Sequence, residues 1–199
     1  YADAKAGYDQ WSLNNTYLKT QSDDPGQDNQ RSKGISVRMN SKNFENFSLT
    51  SVTSILHTDS LYSYDSDWGK YIGDEFQNLE PTTTSGFDGF LSTIRERKSI
   101  SQEIRIDSSK DHFCNSLFNK WTTGLHFNDL SEKSNIEFYD LFIEEDALAQ
   151  VLSKYDQQSL SLFGQGERSI DENSKLIFGI RYEFQKVRFN SNPLNEAKY

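Results

Sequence analysis

The side chains with the widest chemical range are few and scattered. Three histidines, His57, His112 and His126, and one cysteine, Cys114, are spread through a 199-residue chain. Their spacing does not suit zinc, which needs three or four such ligands brought together. No G-x-S-x-G elbow presents a serine nucleophile, and no glycine-rich turn leads from a strand into a helix to hold phosphate. Two sets of charges lie closer together, Glu103 with Arg105 and Arg181 with Glu183. Each carboxylate has an arginine two residues away, the spacing of neighbours on one face of a strand, so structural ion pairs are favoured over an acid/base pair. The chain therefore reads as a non-enzyme, with no catalytic residues, no metal site and no resident cofactor. Cys114 has no second cysteine with which to form an internal disulfide.

A third group suits binding. Between Asp59 and Lys98 the sequence sets Tyr62, Tyr64, Trp68, Tyr71 and Phe76 among Asp65, Asp67, Asp74 and Glu75, with Phe87 and Phe90 beyond. Aromatic rings grip flat or partly apolar ligands, and carboxylates pair with cationic groups. Tyr64, Asp65, Asp67, Trp68, Tyr71 and Phe76 are the candidate ligand-binding residues, with an interfacial girdle of aromatics or packing of the loop against its neighbours as the competing uses. Asp65 and Asp67 resemble the start of a calcium loop, but the position of Gly69 and the missing downstream acid depart from it.

Period-two alternation predicts the elements that position these groups. Strands are expected near residues 7–18, at 34–41, 45–58, around 100–107, at 120–128, 157–168 and 176–185. The fourth is the cleanest, with Ile100, Ile104 and Ile106 opposed to Ser101, Glu103, Arg105 and Asp107. The fifth sets Trp121, Thr123, Leu125 and Phe127 against Thr122, Gly124 and His126, and the seventh sets Leu176, Phe178, Ile180, Tyr182 and Phe184 against Gly179, Arg181, Glu183 and Gln185. The third is less regular, with Val52 and Leu56 facing away from Phe47, Leu49 and Ile55. Residues 136–155 space Ile136, Tyr139, Phe142, Ile143, Leu148, Val151, Leu152 and Tyr155 as on a short amphipathic helix, expected to rest on the mouth of the sheet.

The connectors alternate long and short: 19–33, 42–44, 59–98, 108–119, 129–156 and 169–175. Residues 59–97 hold eight Asp or Glu against three Lys or Arg, and 129–156 hold eight against two, so these two loops outweigh the chain's net charge of −9. Long acidic loops at one end and short turns at the other are the arrangement of an outer-membrane β-barrel. The apolar faces would then meet lipid, and the polar faces, with Glu103, Arg105, Arg181 and Glu183, would line the lumen. A soluble sandwich, which buries its apolar faces in a core, uses the same alternation. Mean hydropathy of −0.78 and the lack of an apolar run near ~18 residues argue against spanning helices. The acidic balance argues against a nucleic-acid partner. Seven strands are too few and of the wrong parity for a complete bacterial barrel, and the chain opens on Tyr1 with no leader, so an interior piece of a longer polypeptide is expected.

The residues that carry a family resemblance are Ser22-Asp23-Asp24-Pro25-Gly26, Ser48-Leu49-Thr50-Ser51-Val52-Thr53-Ser54, Ser101-Gln102-Glu103-Ile104-Arg105-Ile106, Trp121-Thr122-Thr123-Gly124-Leu125-His126-Phe127, Leu162-Phe163-Gly164-Gln165 and Phe178-Gly179-Ile180-Arg181-Tyr182-Glu183. In this order and spacing the chain resembles the barrel portion of TonB-dependent outer-membrane receptors, in their siderophore-receptor branch. His126, where an aromatic is expected, and Cys114 in a turn depart from that family's pattern. The resemblance implies an all-β fold, an antiparallel transmembrane barrel segment of about seven strands from a barrel of 22, with residues 1–199 forming part of it and the plug domain and remaining strands outside the sequence. It implies a Gram-negative outer-membrane location, contact with outer-membrane lipid, and a siderophore-like iron chelate recognised by outer loops as the transported ligand. Coupling to the TonB complex would run through the absent N-terminal region. A soluble carbohydrate-binding-like module and a passive outer-membrane pore are the alternatives.

Overall fold

The computed structural model describes residues 1–7, 22, 24–41, 44, 46–66, 88–108, 117–141 and 147–193. They form one antiparallel sheet of seven strands in sequence order: β1 (Ala2–Ala6), β2 (Gln27–Ser41), β3 (Phe47–Asp65), β4 (Gly89–Ser108), β5 (Lys120–Asp140), β6 (Ala149–Ser169) and β7 (Lys175–Pro193). Among the described residues each strand pairs only with its sequence neighbours, so β1 and β7 stand at the two edges of the sheet. The sheet is a single layer. Among the described residues no hydrophobic side chain is buried, and Ile180, Tyr182 and Phe178 remain 68%, 72% and 62% exposed.

Several sequence expectations are corrected. The strand Ala2–Ala6, paired with 28–32, carries no signal in the sequence, while residues 8–18 of the expected first strand lie outside the described residues and that expectation stays untested. Alanines at 2, 4 and 6 give no apolar signal, and pairing with β2 decides the matter. The helix expected over 136–155 is not found among the described residues: 136–140 belong to β5 and 149–155 to β6, where Ile136 faces Val151 and Phe138 faces Ala149, and 142–146 lie outside the described residues. The same apolar positions satisfy a two-residue period, and the adjacent strand supplies the backbone partners that a helix would have to supply for itself.

Residues 59–65 and 89–98 are strand, not loop. Strands of 19 to 21 residues follow, about twice the ~9–11 that cross a bilayer. Strict alternation of connector length fails as well, because 141–148 is shorter than 109–119. The missing loop has become paired strand.

Side chains directly opposite one another in the ladder share a face. One face, here the Ile104 face, carries Met39, Ser51, Ile104, Leu125, Leu162 and Tyr182 in a single row. The next row toward the loop end adds Val37, Phe127, Leu160 and Phe184, and the one after it is mixed, with Ile35, Ile55 and Ile100 followed by Asp129, Gln158 and Lys186. Toward the short turns the face ends in aromatics: Phe44 stacks on Phe47 at 4.5 Å, Trp121 lies between Ser108 and Gly166, and Phe178 follows in the same row. Phe118 lies over Gly166, where a Cβ would come within 2.5 Å of its ring.

Gln102 is a polar intruder in this band, and its neighbours satisfy it. Its amide donates to Ser51 Oγ at 2.9 Å and to the Glu103 carbonyl at 3.2 Å, and its oxygen accepts from Thr53 at 2.5 Å. The irregular serine and threonine on β3 thus serve a purpose that alternation alone does not reveal.

Candidate ligand-contact surface and its polar ladder

The opposite, Arg105 face is polar at the level of the apolar band. Glu103, His126, Ser161 and Glu183 are consecutive neighbours across β4 to β7, with Arg105, Gly124, Phe163 and Arg181 in the next row. In these two rows the ion pairs form along strands: Arg105 contacts Asp107 at 3.0 Å and Glu103 at 3.8 Å, and Arg181 contacts Glu183 at 2.7 Å. Cross-strand links come from hydroxyls. Fully buried Ser161 accepts from Arg181 at 2.7 Å and donates to Glu183 at 3.0 Å, and Thr122 donates to Asp107 at 2.7 Å. His126 Nδ1 is buried without a hydrogen-bond partner among the described residues. Gly124 makes the space in which Phe163 lies back on the sheet, since a Cβ there would come within 2.6 Å of both the Ile104 carbonyl and the Phe163 ring. That close approach accounts for Phe163, the apolar exception on β6.

Farther toward the loop end this face changes character. Leu56, Leu130 and Val187 come first, then Tyr155 and Phe189 beside the Arg97–Glu132 pair, whose shortest contact is 2.5 Å. Beyond a serine-rich row lie Tyr62, Ile136 and Val151, and then Tyr64, Leu91 and Phe138. The Tyr62 and Tyr64 rings are 5.5 Å apart and tilted by 41°. This surface offers aromatic and aliphatic contact bordered by hydroxyls, suited to a flat, partly apolar ligand.

The Ile104 face changes in the opposite sense. Beyond Ile35, Ile55 and Ile100 it carries Lys33, His57, Lys98, Asp156 and Arg188, then Arg31, Asp59, Glu96, Lys133 and Lys154. Lys98 contacts Glu96 at 2.6 Å and holds its carboxyl below the usual range. The Ser131 hydroxyl, then Lys154, do the same for Asp156. Farther out the Tyr139 hydroxyl, helped by the Asn135 and Gln150 amides, lowers Glu137 against the opposing effect of burial. His57, Asp59 and Glu96 place potential ligand atoms within 4.8 Å of one another, but His57 contacts Asp59 at 2.9 Å and Glu96 is held by Lys98.

Of the expected ligand-binding residues, Trp68, Tyr71, Phe76 and Asp67 lie outside the described residues. Tyr64 and Asp65 end strand β3 and, as adjacent residues, point to opposite faces. Asp65 is fully buried on the Ile104 face, opposite Phe90, which separates it from the aromatic surface. Glu103, Arg105, Arg181 and Glu183 do share one face. Sequence reasoning missed Leu91, Ile136, Phe138 and Val151 as part of that surface. The available signal was period-two alternation continuing past Thr58, before Ser99 and on both sides of 141–148.

No family model, curated protein or solved structure matches this chain. The class stated by the fold is therefore an all-β, single-layer antiparallel sheet with an apolar band confined to one face.

Proposed function

We propose that this sheet is an arc of the β-barrel of a TonB-dependent outer-membrane receptor that takes up a ferric siderophore or a similar chelate. The observation that carries the reading is the apolar band. On β7 it comprises Leu176, Phe178, Ile180, Tyr182 and Phe184, all exposed and all on one face, with no second layer among the described residues to cover them. About nine residues at ~3.3 Å each, tilted by ~35–45°, make a band close to the ~25 Å of a barrel's lipid-facing belt. Aromatics border it at the turn end, Gln102 within it is fully hydrogen-bonded, and the charged ladder lies on the opposite face, as lipid requires.

In this reading the Arg105 face lines the lumen, and its aromatic upper part, with Tyr62, Tyr64 and Phe138, receives the chelate above the membrane. The open edges at β1 and β7 continue into strands of the longer protein, since an unpaired edge is not tolerated in lipid. A soluble sandwich is disfavoured because the described residues provide no core. No helix among them is long and apolar enough to cross a membrane, which is neutral toward a barrel. Fractionation of cells producing the full-length protein tests the reading. Recovery with the outer membrane is expected, together with loss of growth on a ferric chelate when the gene is deleted. Recovery in periplasm or cytoplasm contradicts it.

A further inference from the structure

Three side chains on the Ile104 face come together as the ligands of a metal ion do. His57 and Asp59 lie two residues apart on β3, so they share that face, and the β3–β4 ladder places Glu96 directly opposite Asp59. One ligand atom from each lies within 4.8 Å of the other two, the one such grouping of histidine and carboxylates among the described residues. Glu96 is distant from the other two along the chain. Strand pairing alone brings it there, so the spacing of histidines and acids in the sequence carries no sign of the site.

The ligand chemistry is selective. An imidazole nitrogen with two carboxylates suits a divalent cation of the zinc class, whereas calcium and magnesium are held by oxygen ligands. Zinc bonds of about 2.0–2.2 Å put neighbouring ligand atoms of a tetrahedral shell about 3.3 Å apart. His57 Nε2 already lies 2.9 Å from Asp59 Oδ1, and Glu96 reaches the same point by side-chain movement without any change of backbone. All three side chains are partly exposed, which leaves room for water to complete the shell. The competitor is Lys98, which contacts Glu96 Oε1 at 2.6 Å. Arg31, Lys33 and Lys133 stand in the same two rows and also oppose a cation.

We infer that His57, Asp59 and Glu96 bind a divalent cation of the zinc class that clips β3 to β4 beyond the apolar band. The cation takes the place of the hydrogen between His57 Nε2 and Asp59 Oδ1, the neutral ring keeping its one proton on Nδ1, and Glu96 exchanges Lys98 for the metal. Tyr62 and Tyr64 point to the opposite face, so this cation is separate from any ligand of the aromatic surface. The inference goes beyond the receptor reading and does not rest on it, because strand pairing assembles the three ligands in either setting.

Equilibrium dialysis of the full-length protein against zinc, followed by metal analysis, tests the site, alongside thermal unfolding with and without zinc. His57→Gln is expected to weaken binding by about tenfold or more, and to abolish the rise in unfolding temperature that zinc gives the wild-type protein. Lys98→Gln, which frees Glu96, should tighten binding by about two- to fivefold. Calcium in excess should displace little of the zinc. An unfolding temperature equal to wild type in the absence of metal shows that His57→Gln is folded; if it is not, Asp59→Asn is compared in the same way. Equal zinc binding in wild type and the His57 variant overturns the inference, as does displacement by calcium as effective as by zinc itself. Binding unchanged or weakened in Lys98→Gln removes Glu96 from the shell and overturns the clip. Recovery of the protein outside the outer membrane removes the receptor reading and leaves this site standing.

Discussion

Residues 176–184 and 186–192 belong to one strand and, at every second position, to one face, yet the first stretch reads Leu, Phe, Ile, Tyr, Phe and the second Lys, Arg, Asn, Asn. The opposite face changes the other way, from Arg181 and Glu183 to Val187 and Phe189. The crossover recurs on β3, where Ile55 gives way to His57 and Asp59 on one face while Thr50 and Ser54 give way to Leu56, Tyr62 and Tyr64 on the other. A strand in a single solvent has no reason to exchange its faces partway along. A strand that leaves lipid for water does: its outer face turns charged, and its inner face is free to turn apolar where a ligand must be held.

The largest expected effect comes from placing charge in the band. If the band faces lipid as proposed, Leu162→Arg should destabilise the folded protein in lipid vesicles by about 2–4 kcal/mol, whereas Asn190→Arg, on the same face beyond the band, should cost less than about 1 kcal/mol. Urea titration in vesicles measures both, and equal costs would erase the distinction between the halves. Next is Gly124→Ala, which forces a methyl against the Ile104 carbonyl and the Phe163 ring. A loss of about 1–3 kcal/mol is expected. Phe163→Ala in the same background should recover only part of it, because the carbonyl cannot move without disturbing the ladder.

A smaller effect is expected in the loop-end half. On the proposed function, Phe138→Ala removes one aromatic from the upper surface and should weaken uptake of the ferric chelate by about two- to tenfold, the worth of one aromatic contact. The smallest effect follows from pH. Glu137 is held below its ordinary value of 4.5, so its contribution to the loop-end ladder is complete above that pH and is lost as pH falls through the lowered value. Amide exchange around 135–152 should accelerate below about pH 4.5 in the wild type more than in Glu137→Gln, with the band unaffected.

Much of the lower half was legible in the sequence because its alternation is strict. Ile100 to Asp107 and Leu176 to Gln185 face as their periodicity requires, and the four charges at 103, 105, 181 and 183 share a face for the same reason. The upper half was harder to read, since there the two faces differ less in polarity and the sequence resembles loop. Tyr62, Ser63 and Tyr64 look like loop residues until the partners Thr93, Ser92 and Leu91 are known, and those partners lie some thirty residues away. The supposed helix at 136–155 failed because its apolar spacing fits two periods, and only pairing between β5 and β6 distinguishes them. Asp65 could not be separated from Tyr64 without knowing that both end a strand.

The most direct test of the crossover is a nitroxide scan along β7, from 176 to 190, in the full-length protein with Cys114→Ser, reconstituted in vesicles. The account predicts that even-numbered positions through 184 are accessible to oxygen dissolved in lipid, and that from 186 onward the even-numbered positions are accessible to a water-soluble nickel chelate instead. Even-numbered positions through 184 shielded from both reagents, as in a packed core, or an accessibility pattern unchanged across 184–186, would contradict it.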